Sequence, residues 1–172
     1  MENIKKTPPK ARKKPVSADQ YIADAIASLK GEADVLVFGI DEASQKQQDS
    51  NAGRVFFIEE NAKLVRISQL LNVQQVAHSN DYISPKELKL KFKALLSLLF
   101  PSFSLVVLNK EPQHIRTTYY AFAAASQNEC KLILNGNVLS ENGKLVADIA
   151  AINGYELTET INELTVWMPK QN

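Results

Sequence analysis

Asp34-Val35-Leu36-Val37-Phe38-Gly39-Ile40-Asp41-Glu42-Ala43-Ser44 is the stretch on which the fold turns. Its first seven residues form a short apolar run bounded by polar residues, which predicts a buried strand. Arg54-Val55-Phe56-Phe57-Ile58-Glu59 predicts a second strand, apolar on both faces as in a parallel sheet and closed by a carboxylate. The pair points to a nucleotide-binding α/β unit. Between Gly39 and Gly53, however, there is no glycine. The turn that should bring backbone close to a cofactor is Ile40-Asp41-Glu42-Ala43-Ser44, so side chains stand where a bare backbone is needed.

Outward from this unit, strands and helices alternate. Ser17 caps a helix whose Tyr21, Ile22, Ala25, Ile26 and Leu29 recur at helical spacing, with Gly31 as its stop. Residues 41–52 are polar with no apolar face, which allows a short exposed helix or a loop. Asn61-Ala62-Lys63 opens a helix with Leu64, Ile67, Leu70 and Leu71 on one side; the competing reading is a hairpin with Lys63–Ile67 as a returning strand. Residues 73–78 predict a weaker third strand. Ser84-Pro85-Lys86-Glu87 begins a helix that Pro101 ends. Ser104–Leu108 and Lys131–Leu134 predict strands four and five, separated by a helix near 113–127. A last helix near 141–152 closes at Asn153-Gly154. Residues 155–159 and 164–168 then form an antiparallel hairpin. The expected class is α/β, a three-layer sandwich on a mostly parallel sheet with right-handed crossovers.

The 172 residues suit one domain, 17–172, preceded by a basic arm, 1–16. Apolar residues at 45% and charged residues at 23% describe a soluble globular protein. No apolar run can span a bilayer. The one cysteine, Cys130, permits neither an internal disulfide nor a cysteine-based metal site, and a reducing cytoplasm is the expected compartment. The net charge of +1 conceals an asymmetry: Lys5, Lys6, Lys10, Arg12, Lys13 and Lys14 against Glu2 give residues 1–14 a charge of +5, and the remainder −4. With Pro8 and Pro9 among them, Pro15 directly after them and nothing to bury, these residues read as a mobile arm. A phosphate-attracting tail for RNA or DNA is its functional reading, a solubilising terminus the plain one.

Five βα units followed by a hairpin, with Gly154-Tyr155 before it, resemble the class I S-adenosylmethionine methyltransferases over about residues 33–169. The resemblance implies roles at particular positions. Gly39 alone remains of the glycine-rich loop beneath the methionine part of the cofactor, beside Asp41. Glu59 fits the acid that accepts both ribose hydroxyls. Asp81 is placed to meet the adenine amino group. Asn109-Lys110-Glu111-Pro112-Gln113 stands where amine-modifying members have Asn/Asp-Pro-Pro-aromatic. Asn109 matches, which would let it orient a substrate amine; the adjacent prolines and the aromatic are gone. Leu108-Asn109-Lys110-Glu111-Pro112 and Leu134-Asn135-Gly136-Asn137 are also similar to the degenerate N-terminal domain of RsmC-type rRNA guanine-N2 methyltransferases, whose second domain does the chemistry. That implies a non-catalytic domain supporting RNA methylation by binding RNA or a catalytic methyltransferase domain. An active S-adenosylmethionine-dependent N-methyltransferase is the alternative.

Other residues admit a sharp and a bland reading. Asp41, Glu42, Glu59 and Glu111 together, with Asp148, could hold a divalent metal as in ribonuclease H-like nucleases; that fold demands an antiparallel start to the sheet. Glu59 could instead cap the next helix, with Glu60 as its substitute at the ligand. His78 and His114 read as hydrogen-bonded structural residues, Cys130 as buried. Lys86, Lys89, Lys91 and Lys93 read as a solvated face or a supplementary RNA contact, and Trp167 as core.

Overall fold

A computed structural model of the protein describes residues 16–29, 33–51, 54–76, 86, 90, 102–110, 115–135 and 143–171. Strands β1 (Val35–Phe38), β2 (Val55–Glu59), β3 (Val73–Gln75), β4 (Leu105–Leu108), β5 (Lys131–Asn135), β6 (Tyr155–Ile161) and β7 (Leu164–Pro169) form one sheet in the order β3-β2-β1-β4-β5-β7-β6. The first five are mutually parallel; β7 runs antiparallel to both β5 and β6. The described helices are α1 (Ala18–Ala27), α2 (Ser44–Ser50), α3 (Ala62–Ile67), α4 (Ile115–Asn128) and α5 (Gly143–Ile152). The expected sheet with its terminal hairpin is therefore present. A ribonuclease H-like start is not, because β1, β2 and β3 all point the same way.

Alternation along the central strands sorts side chains between two cores. Leu36, Phe38, Val106, Leu108, Leu132 and Leu134 meet Tyr119, Phe122 and Ala125 of α4 and Val146, Ile149 and Ala150 of α5. Val35, Val37, Leu105, Val107 and Ile133 meet Ile22 and Ile26 of α1 on the other face. The four residues of β1 and of β4 are buried throughout, as strands covered on both sides must be. Phe122 is fully buried and makes edge-on contacts with Tyr155 at 5.9 Å and Trp167 at 5.4 Å. Tyr155 adds a hydrogen bond from its hydroxyl to the Cys130 carbonyl, 2.7 Å. Trp167 is core, as read from the sequence, and Cys130 is buried.

Three local expectations change. Residues 44–50 are a helix despite having no apolar face, because Ser44, Gln47 and Gln48, with Asn51 after them, bury polar side chains instead. Residues 62–67 are a helix, which removes the hairpin, yet it stops at Ile67. Ser68 turns extended, its hydroxyl accepts from Leu70 N, and Gln48 Oε1 accepts from Leu71 N, so Leu70 and Leu71 leave the helix. β3 ends at Gln75. The helix expected from Ser84 to Pro101 lies almost wholly outside the described residues.

Strand order reverses direction between β1 and β4, and open α/β sheets bind ligands beyond the carboxyl ends of the strands at such a point. Gly39 and Asn109-Lys110 follow these two strands. Because Phe122 joins α4 to the hairpin, Phe122→Ala is expected to lower unfolding stability by about 3–5 kcal/mol, read as a reduced urea midpoint with an unchanged slope.

Candidate functional site

At the end of β1, Gly39 adopts φ +88, a left-handed conformation that favours glycine. Its N–H donates to Ile58 O at 2.8 Å, and Asn109 N donates to Phe38 O at 2.9 Å, so three strand ends are level. A Cβ built on Gly39 would meet Cγ and Cε of Lys110, each at 3.4 Å. The aliphatic stem of Lys110 thus lies directly on this glycine. Its ammonium donates to Ile40 O at 2.9 Å and stands 3.9 Å from Glu59 Oε2.

Glu59 closes β2 and is only 4% exposed. Both carboxylate oxygens are engaged: Oε2 accepts from Ile40 N at 2.7 Å and Oε1 from Asn61 N at 2.8 Å. Such charge-assisted bonds are strong. Asn61 in turn caps α3, its Oδ1 accepting from Lys63 N and Leu64 N. Ile40 is therefore held by its N–H to an acid and by its carbonyl to a base. Glu60 accepts from the Thr117 hydroxyl of α4. Gly39, Glu59, Glu60, Lys110 and Thr117 surround a cavity of about 20 Å³ above the sheet. That is space for about one water.

Asn109 is 2% exposed and its amide is saturated. Its Nδ2 donates to Gly39 O at 3.0 Å and Gln47 Oε1 at 3.0 Å, while its Oδ1 accepts from Gln47 Nε2 at 2.7 Å. Ser44 Oγ lies at 3.5 Å from the same Nδ2. This reciprocal amide pair fastens the polar helix α2 to the end of β4. Asp41 lies just ahead of α2: its Oδ1 accepts from Ala43 N at 3.0 Å and Ser44 Oγ at 3.2 Å. Glu42 is exposed beside it.

The structure thus brings Gly39, Asp41, Glu59 and Asn109 together at the switch point. Asp81, His78, Glu111, His114 and the arm residues Lys5, Lys6, Lys10, Arg12, Lys13 and Lys14 lie outside the described residues. Among the described residues, no three His, Cys, Asp or Glu side chains gather as a metal site, and no helix is long and apolar enough to cross a membrane. Burial pushes the Cys130 thiol up to about 12, which leaves it protonated and unreactive near neutral pH. Sequence reading missed Lys110 and Gln47. A signal for Lys110 existed: it is a long cationic side chain directly after Asn109, where the resembled motif has proline.

No family model matches the chain, and no curated protein matches it by sequence. Solved structures do. The MycE methyltransferase of the mycinamycin biosynthetic pathway, in complex with Mg and SAH, superposes with a TM-score of 0.50 at 13% identity, covering 87% of this chain and 48% of that one. The same enzyme with Mg, SAH and mycinamycin VI gives 0.52 at 12% identity, with the same coverage. A Staphylococcus aureus protein provisionally named a caffeoyl-CoA O-methyltransferase gives 0.50 at 12%, covering 90% of this chain and 85% of that one. The chain spans about half the length of the MycE chains it matches. At these identities the likeness shows the fold: this is the class I methyltransferase sandwich.

Two outcomes follow from the hydrogen bonds. Asn109→Ala strands the buried Gln47 amide and the Gly39 carbonyl, so it should cost about 1–3 kcal/mol, measured by chemical denaturation. Burial lifts the Asp41 carboxyl above its ordinary value of 3.8, with bonds from Ser44 and Ala43 opposing; Asp19 adds to the rise and Lys110 subtracts. A raised folded-state value means that stability is lost as pH climbs through the region above 3.8. Asp41→Asn keeps the acceptor and removes the charge. Its melting temperature should therefore exceed that of the parent at neutral pH, and the gap should close as pH falls below that region.

Proposed function

We propose that this chain is a methyltransferase-fold domain that does not transfer methyl groups itself and that supports RNA methylation by holding RNA through its basic arm, alongside a separate catalytic methyltransferase domain. One observation carries the first half. Lys110 lies on Gly39, where a methyl donor would need bare backbone, and Glu59 spends both oxygens on its own loop and helix start. A cavity of about 20 Å³ contrasts with the roughly 300–1,000 Å³ of small-molecule sites. The residues therefore do not fit S-adenosylmethionine as they stand. Asn109, whose amide is spent on Gln47 and Gly39, is a structural residue in this account.

The second half is supported by the charge of residues 1–14, which the rest of the chain opposes in sign. A narrower kinship with RsmC-type N-terminal domains would give the RNA as ribosomal. One observation favours the other reading, an active N-methyltransferase: Glu59 keeps the strand-end position of a ribose-binding acid, and each of its oxygens retains a lone pair. In that reading Gly39, Asp41 and Asp81 would line the cofactor and Asn109 would orient the substrate amine.

Calorimetry with S-adenosylhomocysteine separates them. The parent should give no micromolar binding; micromolar binding abolished by Glu59→Ala would overturn the proposal. RNA binding should weaken steeply with salt, with a log–log slope of up to about −4 if all six arm cations neutralise single-strand phosphates. Removing residues 1–14 should abolish that slope. An unchanged slope without the arm would remove RNA binding from its role.

A further inference from the structure

On the face that carries α1, an open groove of about 350 Å³ runs between the start of α2 and the α3–β3 connection. Its walls include Ile40, Leu64, Ile67 and Leu70 on the apolar side, and Asp41 and Glu42 on the other. Ile67 is 66% exposed, so apolar surface is left against water at the end of a helix. Asp19, in the first turn of α1, adds its negative charge to the field at Asp41.

The root of the arm is at this end of the molecule. The Val16 carbonyl accepts from Asn162 Nδ2 at 3.3 Å in the β6–β7 turn. That turn lies level with the carboxyl end of β5, since Asn135 pairs with Leu164. Ser17 caps α1, and Gln20 accepts from Lys46 Nζ of α2 at 2.8 Å. Three residues past the cap, the chain is therefore already against the helix that Asp41 and Glu42 precede. Fourteen residues reach at most about 45–50 Å when extended, and a short tether supplies an effective concentration of about millimolar.

We propose that residues 1–14 dock in this groove of their own chain, and that a polyanion competing for the arm empties it. The proposal rests on the RNA reading only for the identity of the competitor. Pro8, Pro9 and Ala11 offer compact apolar contacts to Leu64, Ile67 and Leu70. Lys10, Arg12, Lys13 and Lys14, within an arm charge of +5, would supply the cations that complement Asp41 and Glu42. RNA phosphates would then have to displace an internal acidic surface, which selects dense polyanions over isolated anions.

Methyl NMR on the full chain tests it through Ile40, Leu64, Ile67 and Leu70. Their signals should differ between the parent and a variant with Lys10→Glu, Arg12→Glu and Lys13→Glu, which alters no described residue. Adding a peptide of residues 1–14 to that variant should return them to the parent positions. Glu42→Gln together with Asp41→Asn should weaken the return at least several-fold. Single-stranded RNA added to the parent should move the same four signals to the variant positions. Identical groove signals in parent and variant would overturn the proposal, and so would a difference that grows with protein concentration, the mark of a second copy. RNA binding with unmoved groove signals removes the docking and leaves the RNA reading; peptide-dependent signals indifferent to RNA do the reverse.

Discussion

A lysine laid along a glycine sets the character of this molecule. Lys110 lies against Gly39, the left-handed glycine after β1, and its ammonium is held by Ile40 O within reach of Glu59. Glu59 in turn holds Ile40 N and Asn61 N. The β1 loop is therefore clasped from both sides. The acid that the resemblance assigns to a ribose stands 3.9 Å from the Lys110 ammonium. A desolvated carboxylate at a strand end needs such partners, and here the fold itself provides them. At the switch point, where open α/β sheets bind ligands, Glu59, Glu60, Lys110 and Thr117 line a cavity of about 20 Å³.

The same logic explains α2. A seven-residue helix with no apolar face gains little from burial, and helices this short are marginal alone. It persists because Gln47 and Asn109 exchange amide hydrogen bonds, Gln48 accepts from Leu71 N, and Asn51 donates to Ala33 O. These polar contacts join β1, β4 and the α3–β3 connection. Buried amides of this kind raise the cost of any movement that would open the loop.

Most of the fold was legible because burial writes itself into composition. Val35–Phe38 and Leu105–Leu108 are unbroken apolar runs, which only strands covered on both faces require. Ser17, Asn61 and Gly154 marked element ends by capping or by a left-handed turn, and each does so in the structure. The site was legible only in part. Gly39, Asp41, Glu59 and Asn109 were found because strand ends locate ligand positions, and the structure gathers them. What fills the crevice was not legible. Asp41 and Glu42 were expected to obstruct it, but Asp41 bonds to its own helix start while Lys110 does the covering. The Lys110–Ile40 hydrogen bond that holds this stem in place joins residues separated by 70 positions, and no local pattern encodes it. Gln47 escaped for the same reason: a glutamine in a polar run gives no sign of being buried.

Whether the space above Gly39 is filled decides whether a donor can bind. Diffraction from crystals soaked in S-adenosylmethionine tests it most directly. The expected map has density for the Lys110 stem against Gly39, its ammonium on Ile40 O, and no donor above β1. Density for the donor over Gly39, with its ribose hydroxyls on Glu59 and Lys110 swung into solvent, would contradict it.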